Sequence, residues 1–266
     1  MGLMRARAMP CAIHAPGREV TQFVVEGRNV PGTLATIASK LAQLGINILS
    51  GLIVAEPGRE TGHIVLFLDM TGTGLTEAEL LERLRKLDVV VDAEITAKKI
   101  GDMAINGTTH RTLFMGERAV LFDVDDIGVM FGWFDENFGS GAHAILFDMG
   151  KQAGKTAAEK LMNDYGLRGR DVVEAFLALH EAAGWFDYEV VKYDEGALEF
   201  VIRLYDNFEC VPFKGKKDRP VSHLVRGELA GLFSSLFKRD FKVDEVMCLA
   251  KGDPYCEFTI MPREGR

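Results

Sequence analysis

At 266 residues, 47% hydrophobic and 26% charged, the chain has room for two globular domains and contains no apolar run near the ~20 residues that a membrane-spanning helix needs. The formal charge of -8 argues against a broad nucleic-acid surface, and four cysteines are too few for a disulfide framework, so a reducing, cytoplasmic setting is expected. Residues 1–18 carry several arginines, Pro10, Pro16 and Gly17 without the apolar core of a secretory signal, and read as a flexible tail. Cys11 and His14 have the spacing of half a metal site, but no partner ligands accompany them.

From residue 19 to 100 the pattern is that of a folded domain. TQFVVEG alternates as a strand does, RNVPG turns, and Leu34, Ile37, Ala38, Leu41 and Leu44 recur at helical spacing before Gly45 stops the helix. Ile46–Ala55 and Gly62–Met70 read as strands around the turn EPGRE, and Thr76 with Glu79 forms a capping box for a helix that turns Leu80, Leu81, Leu84 and Leu87 inward. A strand over 88–98 completes βαββαβ, the ferredoxin-like order. The stretch VEGRNVPGTLATIASKLAQLGINI resembles the opening of an ACT domain, through Asn29, Pro31, Gly32, Gly45, Ile46, Asn47 and Ile48. That resemblance implies side-by-side dimers with an amino acid bound at the interface, by Asn29, Gly32, Asn47 and Ile48. Backbone N–H groups at a helix start and the Asn47 amide suit such a ligand, whereas the plain reading of the same residues is a turn and a strand cap. Residues 101–110 lack either period and read as a linker.

The second domain is assigned to residues 111–266. A strand over Arg118–Val124 and a helix over Asp125–Phe138, with Ile127, Met130, Phe131 and Phe134 inward, are expected first. GKQAGKT looks like a phosphate loop, yet that loop needs a glycine where Met149 stands; a helix from Ala142 to Met162, with small residues for close packing, is the better reading. A helix over Asp171–Ala183 with Asp171 as its cap, a hairpin of Tyr188–Tyr193 and Leu198–Tyr205, and a helix over Val221–Lys238 follow.

The last stretch, DEVMCLAKGDPYCEFTI, reads as a hairpin turning at Lys251, Gly252 and Asp253, which sets Cys248 opposite Cys256. Glu245 would face the other way in an ideal strand, and one bulge brings it round. The two thiols can be metal-bound, linked as a disulfide, or free; with Glu245 they supply three of zinc's four ligands.

The runs PVSHLVRGELAGLFSSLF and DEVMCLAKGDPYCEF resemble the 4-vinyl reductase domain, a family that includes the sensory domains of phenol- and xylene-responsive activators. The resemblance implies a structural zinc on Glu245, Cys248 and Cys256 together with a cysteine at the helix start, where this chain has Ser222; His223 or Cys210 can complete the set. It also implies a ligand pocket at His180 and Phe208, where Phe in place of the family's Trp removes an N–H donor and favours a more apolar ligand. The fold class expected is α+β: an ACT-like βαββαβ domain followed by a mixed helix-and-antiparallel-sheet domain of the 4-vinyl reductase type. The function expected is a non-catalytic small-molecule sensor, homodimeric through its first domain, that binds an apolar or aromatic ligand and an amino acid. The alternatives are a 4-vinyl reductase-like enzyme component, for which no cofactor motif or nucleophile–base pair is apparent, and a ligand-independent dimeric scaffold.

Overall fold

A computed structural model describes Met9, residues 11–108 and residues 112–263. The remaining parts of the expected tail, residues 1–8 and 10, and of the expected linker, residues 109–110, lie outside the described residues. Two compact units divide at Ala119/Val120.

The first unit contains, in chain order, β1 (Ala12–His14), β2 (Val20–Arg28), α1 (Thr33–Gln43), β3 (Asn47–Val54), β4 (Thr61–Asp69), α2 (Glu77–Arg85), β5 (Val90–Ile95), β6 (Lys98–Ile100), β7 (Met103–Ile105), β8 (Leu113–Phe114) and β9 (Glu117–Arg118). The main sheet is antiparallel with order β3-β4-β2-β5, so the βαββαβ order read from the periodicity is present. Alternation on β2 and β4 sends Phe23, Val25, Leu66 and Leu68 to one core with Ile37 and Leu41 of α1 and Leu80 and Leu84 of α2. Thr76 and Glu79 form the expected reciprocal capping box at the start of α2.

The opposite face carries Phe67, packed with Val20, Ala104 and Ile13. Those contacts come from a small sheet of order β1-β7-β6. Part of the expected tail is therefore a strand, and it pairs with a strand from the expected linker, Ala12 opposite Ile105 and His14 opposite Met103. Three-residue strands bury too little of one face to show a period, so the sequence reads as loop there. The expected strand over Arg118–Val124 shrinks to Glu117–Arg118, and Val120, Leu121 and Phe122 are exposed.

The second unit contains α3 (Val124–Phe138), α4 (Ser140–Asn163), α5 (Arg170–Ala183), β10 (Asp187–Asp194), β11 (Glu199–Tyr205), a 3-10 turn (Val211–Phe213), α6 (His223–Phe237), β12 (Phe241–Met247), a second 3-10 turn (Leu249–Lys251) and β13 (Cys256–Pro262). Its antiparallel sheet has the order β10-β11-β13-β12. Met130 of α3, expected inward, is exposed, while Ile127 and Phe131 pack against the core. α5 is capped by Gly169, with Asp171 in its first turn instead of at the cap.

The chain folds this unit around α6, which is apolar on nearly all sides and carries nine buried residues. α4 lies against it at glycines. A Cβ added to Gly150 would stand 2.0 Å from the Leu224 carbonyl oxygen, and one added to Gly154 would stand 2.0 Å from that of Glu228. Gly227 and Gly231 on α6 face the Phe147 and Lys151 carbonyls in the same way, each at 2.1 Å. The phosphate-loop lookalike is thus the small-residue face of a helix, and its glycines let two backbones touch.

Candidate functional site

Four buried side chains converge at the end of the β12/β13 hairpin: Cys210, Glu245, Cys248 and Cys256, with one ligand atom of each within 4.8 Å of the others. Three local features produce this. The ladder between β12 and β13 shifts register between Glu245 and Met247, the bulge needed to turn Glu245 toward the thiols. The connection is longer than a three-residue turn: β12 stops at Met247, Leu249–Lys251 coil into a 3-10 turn, and Gly252 at φ 96 reverses the chain into β13. Asp253 accepts the Cys248 N–H at 2.8 Å and holds that loop closed. Cys210 then arrives from the segment after β11, its sulfur 3.5 Å from that of Cys248.

Ser222 occupies the rim of this cluster and does not add a fourth soft donor. Its Oγ donates to Glu245 Oε1 at 2.8 Å and its N–H to Oε2 at 3.1 Å, while the Asn207 amide donates to Ser222 Oγ at 2.9 Å. Cys210 lies 2.9 Å from the same hydroxyl. His223, the other candidate to complete the set, turns away and stacks on His143 at 4.1 Å.

The electrostatics explain what the arrangement suits. Burial, and then the negative Cys248, push Glu245 up to about 9. Hydrogen bonds from Cys210 and Cys256 hold the Cys248 thiol well below its ordinary value, and the same contact with Cys248 pushes Cys210 up. Three thiols and a carboxyl at one buried point cannot all ionise, since each anion opposes the next. A divalent cation removes that conflict, and three sulfurs with one carboxylate oxygen form a four-coordinate donor set. The four residues can bind a metal ion.

His180 and Phe208 are also brought together, through a residue that the sequence reading passed over. The Trp185 ring stands 4.7 Å from both, edge-on to His180 and to Phe208. His180 Nδ1–H donates to the Phe176 carbonyl at 2.7 Å, which leaves Nε2 as an acceptor, 3.5 Å from Glu228 Oε2. That Glu228 oxygen is buried with no hydrogen-bond partner among the described residues. Burial, with Glu209 adding to it, pushes Glu228 up to about 8, and burial lowers His180, so both are neutral near pH 7. The available signal for Glu228 was a lone acid, two residues after Arg226, in the mostly apolar run LVRGELAGLF.

In the first unit, the Asn29 amide donates to the carbonyls of Glu56 at 3.2 Å and Arg59 at 3.0 Å, tying the first turn to the β3–β4 turn. Gly32 takes φ 92 at the start of α1. Asn47 and Ile48 open β3 and are exposed. Arg28 pairs with Thr61 and Asn47 with Asp69, so Asn29 and Asn47 stand at opposite ends of β4, roughly 26 Å apart at strand rise. One chain alone does not assemble these four residues into a site.

Among known proteins, the chain is 29% identical over 179 residues to an uncharacterized protein of Methanocaldococcus jannaschii, a match covering 65% of this chain and 94% of that one. It is similar in structure to the phenol-responsive sensory domain of the transcription activator PoxR, solved with phenol, at TM-score 0.51 and 18% identity over 68% of this chain and 88% of that one. A vinyl-4-reductase family protein from Methanocaldococcus jannaschii matches at TM-score 0.39 and 22% identity over 55% of this chain and 85% of its own. Residues 200–262, which run from β11 through α6 to the end of β13 and so include all four candidate metal ligands, match the 4-vinyl reductase domain.

Proposed function

We propose that this protein is a non-catalytic small-molecule sensor whose second unit receives an apolar or aromatic ligand at His180, Trp185 and Phe208. The observation that carries the reading is the buried Glu228 Oε2, which makes no hydrogen bond among the described residues and stands 3.5 Å from His180 Nε2, too long for a good one, at the end of a cluster of aromatic rings inside the second unit. A buried polar atom left unpaired costs about 1–3 kcal/mol, and a ligand bearing one hydroxyl beside an aromatic body would satisfy it. Trp185 fills the space between His180 and Phe208, so the ligand enters by displacing that ring. The shared fold of the phenol-responsive domain agrees with an aromatic guest of this kind.

Zinc, held by Cys210, Glu245, Cys248 and Cys256, is structural in this reading. It locks the closing hairpin to the segment after β11, next to the start of α6. The first unit is an ACT-type dimerisation module. β3 is an edge strand whose Ile48, Leu49, Leu52, Ile53 and Val54 are exposed, the kind of edge that a second copy covers. Antiparallel pairing of two such edges places Asn29 and Gly32 of one chain beside Asn47 and Ile48 of the other, which completes an amino-acid site that neither chain has alone.

The chain has two tryptophans, Trp133 and Trp185. A Trp133→Phe variant therefore reports on Trp185 by itself. Titration with phenol and with naphthalene is expected to change its emission, and His180→Phe is expected to weaken the phenol response. A flat titration with both compounds overturns the sensor reading. A ligand-independent dimeric scaffold is the second reading, favoured by the filled space around Trp185, and a flat titration of a stable dimer selects it.

A further inference from the structure

A second, shallow cleft opens between α3, the start of α4 and the start of α6; it encloses about 20 Å³ and widens to about 350 Å³ when its solvent-open mouth is counted, so a ligand would lie mostly in the mouth. Phe131, Leu146, Phe213 and Val221 make its walls apolar. His143 and His223 stack within it, their rings 4.1 Å apart and 15° from parallel. Asp135 orients the first of these, Oδ1 lying 2.7 Å from His143 Nε2. The second is oriented by Arg226, whose guanidinium faces His223 Nδ1 at 3.4 Å. Nδ1 accepts there, so the proton of neutral His223 sits on Nε2. That Nε2–H is buried and has no acceptor among the described residues. Burial, with His143 and Arg226 adding to it, lowers His223 to about 4 and keeps it neutral.

Charge points the same way as the orphan donor. Lys217 and Arg219 both bind Asp135, at 2.9 and 3.1 Å, and Arg226 lies behind His223. Against these three cations stand Asp135 and Glu209. Both Glu209 oxygens are already taken by the Leu224 and Val225 N–H groups, at 2.8 and 3.0 Å. The α6 N-terminus is thus satisfied by the protein itself. The cleft keeps one uncommitted donor, a surplus of positive charge, and apolar walls.

We infer that this cleft binds a small monocarboxylate with an apolar body, the carboxylate accepting from His223 Nε2–H near Lys217 and the body lying against Phe131 and Phe213. The site is separate from the His180 and Phe208 pocket and does not rest on it. The test is calorimetric titration of the full chain with benzoate, alone and with phenol at high concentration to engage the His180 and Phe208 pocket. Benzoate is expected to bind with the same affinity in both conditions; His223→Phe is expected to weaken it about tenfold or more, the loss typical of a hydrogen bond to a charged group. Lys217→Met is expected to weaken it several-fold by removing the cation that lines the cleft, and it carries the test if His223→Phe does not fold. The inference is overturned by absence of benzoate binding, by its displacement with phenol, or by full affinity in either cleft variant.

Discussion

Replacing Gly154 by alanine puts a methyl carbon 2.0 Å from the Glu228 carbonyl oxygen, with the Glu228 carbonyl carbon at 2.7 Å and its Cα at 2.8 Å. All three atoms are backbone of α6, a helix whose other side is packed into the core, so no side-chain rotation relieves the clash. An ordinary contact needs 3.4 Å or more, hence α4 and α6 must separate by over 1 Å at this point of their seam, and overpacking of this kind costs about 3 kcal/mol at its upper end. Alanine returns about 1 kcal/mol of helix propensity, which leaves a net loss of about 2 kcal/mol. At a urea dependence of about 2 kcal/mol per molar, the unfolding midpoint of the second unit should fall by about 1 M. Far-UV circular dichroism during urea unfolding measures it, with Gly141→Ala as control. Gly141 is also in α4 but has nothing within 4 Å of its added Cβ, so that variant should match the parent or exceed it. If Gly154→Ala unfolds at the parent's midpoint or above, the two backbones do not meet at this glycine and the account of the helix pair fails.

Cys210→Ser should bring zinc below half of the parent's content on elemental analysis of untagged protein, whereas Ser222→Ala and Cys11→Ser should retain it; a parent chain purified without zinc would remove the metal from the proposal altogether. Ile53→Lys, on the exposed edge β3, should convert a dimer to a monomer in sedimentation at micromolar concentration, and an unchanged dimer would place the interface elsewhere. Glu228 has its folded-state pKa pushed up to about 8 by burial, above the ordinary carboxylate value. The folded chain therefore keeps this proton where the unfolded chain has lost it. The associated stability is complete below about pH 4.5 and is lost as pH rises toward 8. Glu228→Gln should flatten that decline and gain at least about 1 kcal/mol at pH 8, read from urea midpoints at pH 5 and pH 8. The same slope in parent and variant would show that Glu228 is not the group responsible.

What could be read in advance follows how local each signal is. The βαββαβ order was legible because α1 and α2 each repeat leucines at helical spacing, and the Thr76–Glu79 box marks a helix start within four residues. Convergence of Glu245 with the cysteines was legible because a hairpin ties its two strands in register, and the one irregularity required was a bulge. The β1–β7 pairing was hidden, since its partners Ile13 and Ala104 are 91 positions apart and each strand has three residues. Trp185 was hidden for another reason. Its neighbours His180 and Phe208 lie on either side of a whole β-hairpin, and only folding shows that the ring stands between them.

The position of Cys210 shows how a four-donor set can be assembled when the helix start does not supply a sulfur. At the start of α6 a side chain can reach the cluster, but Ser222 uses that place to hold both Glu245 oxygens, through its hydroxyl and its backbone N–H. Glu245 is thereby oriented before any ion arrives. The third sulfur must then enter from another segment, and the turn after β11 is close enough because Cys210 N–H is held by the Asn207 carbonyl. The Asn207 amide meanwhile reaches the Ser222 hydroxyl at 2.9 Å and lies 3.7 Å from the Cys210 and Cys256 sulfurs. In the proposed site Ser222 and Asn207 are thus positioning residues, and Cys210, Glu245, Cys248 and Cys256 are the side chains that could donate to a metal. Because Glu209, the neighbour of Cys210, caps α6 through Leu224 and Val225, the segment that carries the third sulfur is also the one that anchors the central helix. Loading or emptying the four donors would act directly on the helix around which the unit is packed.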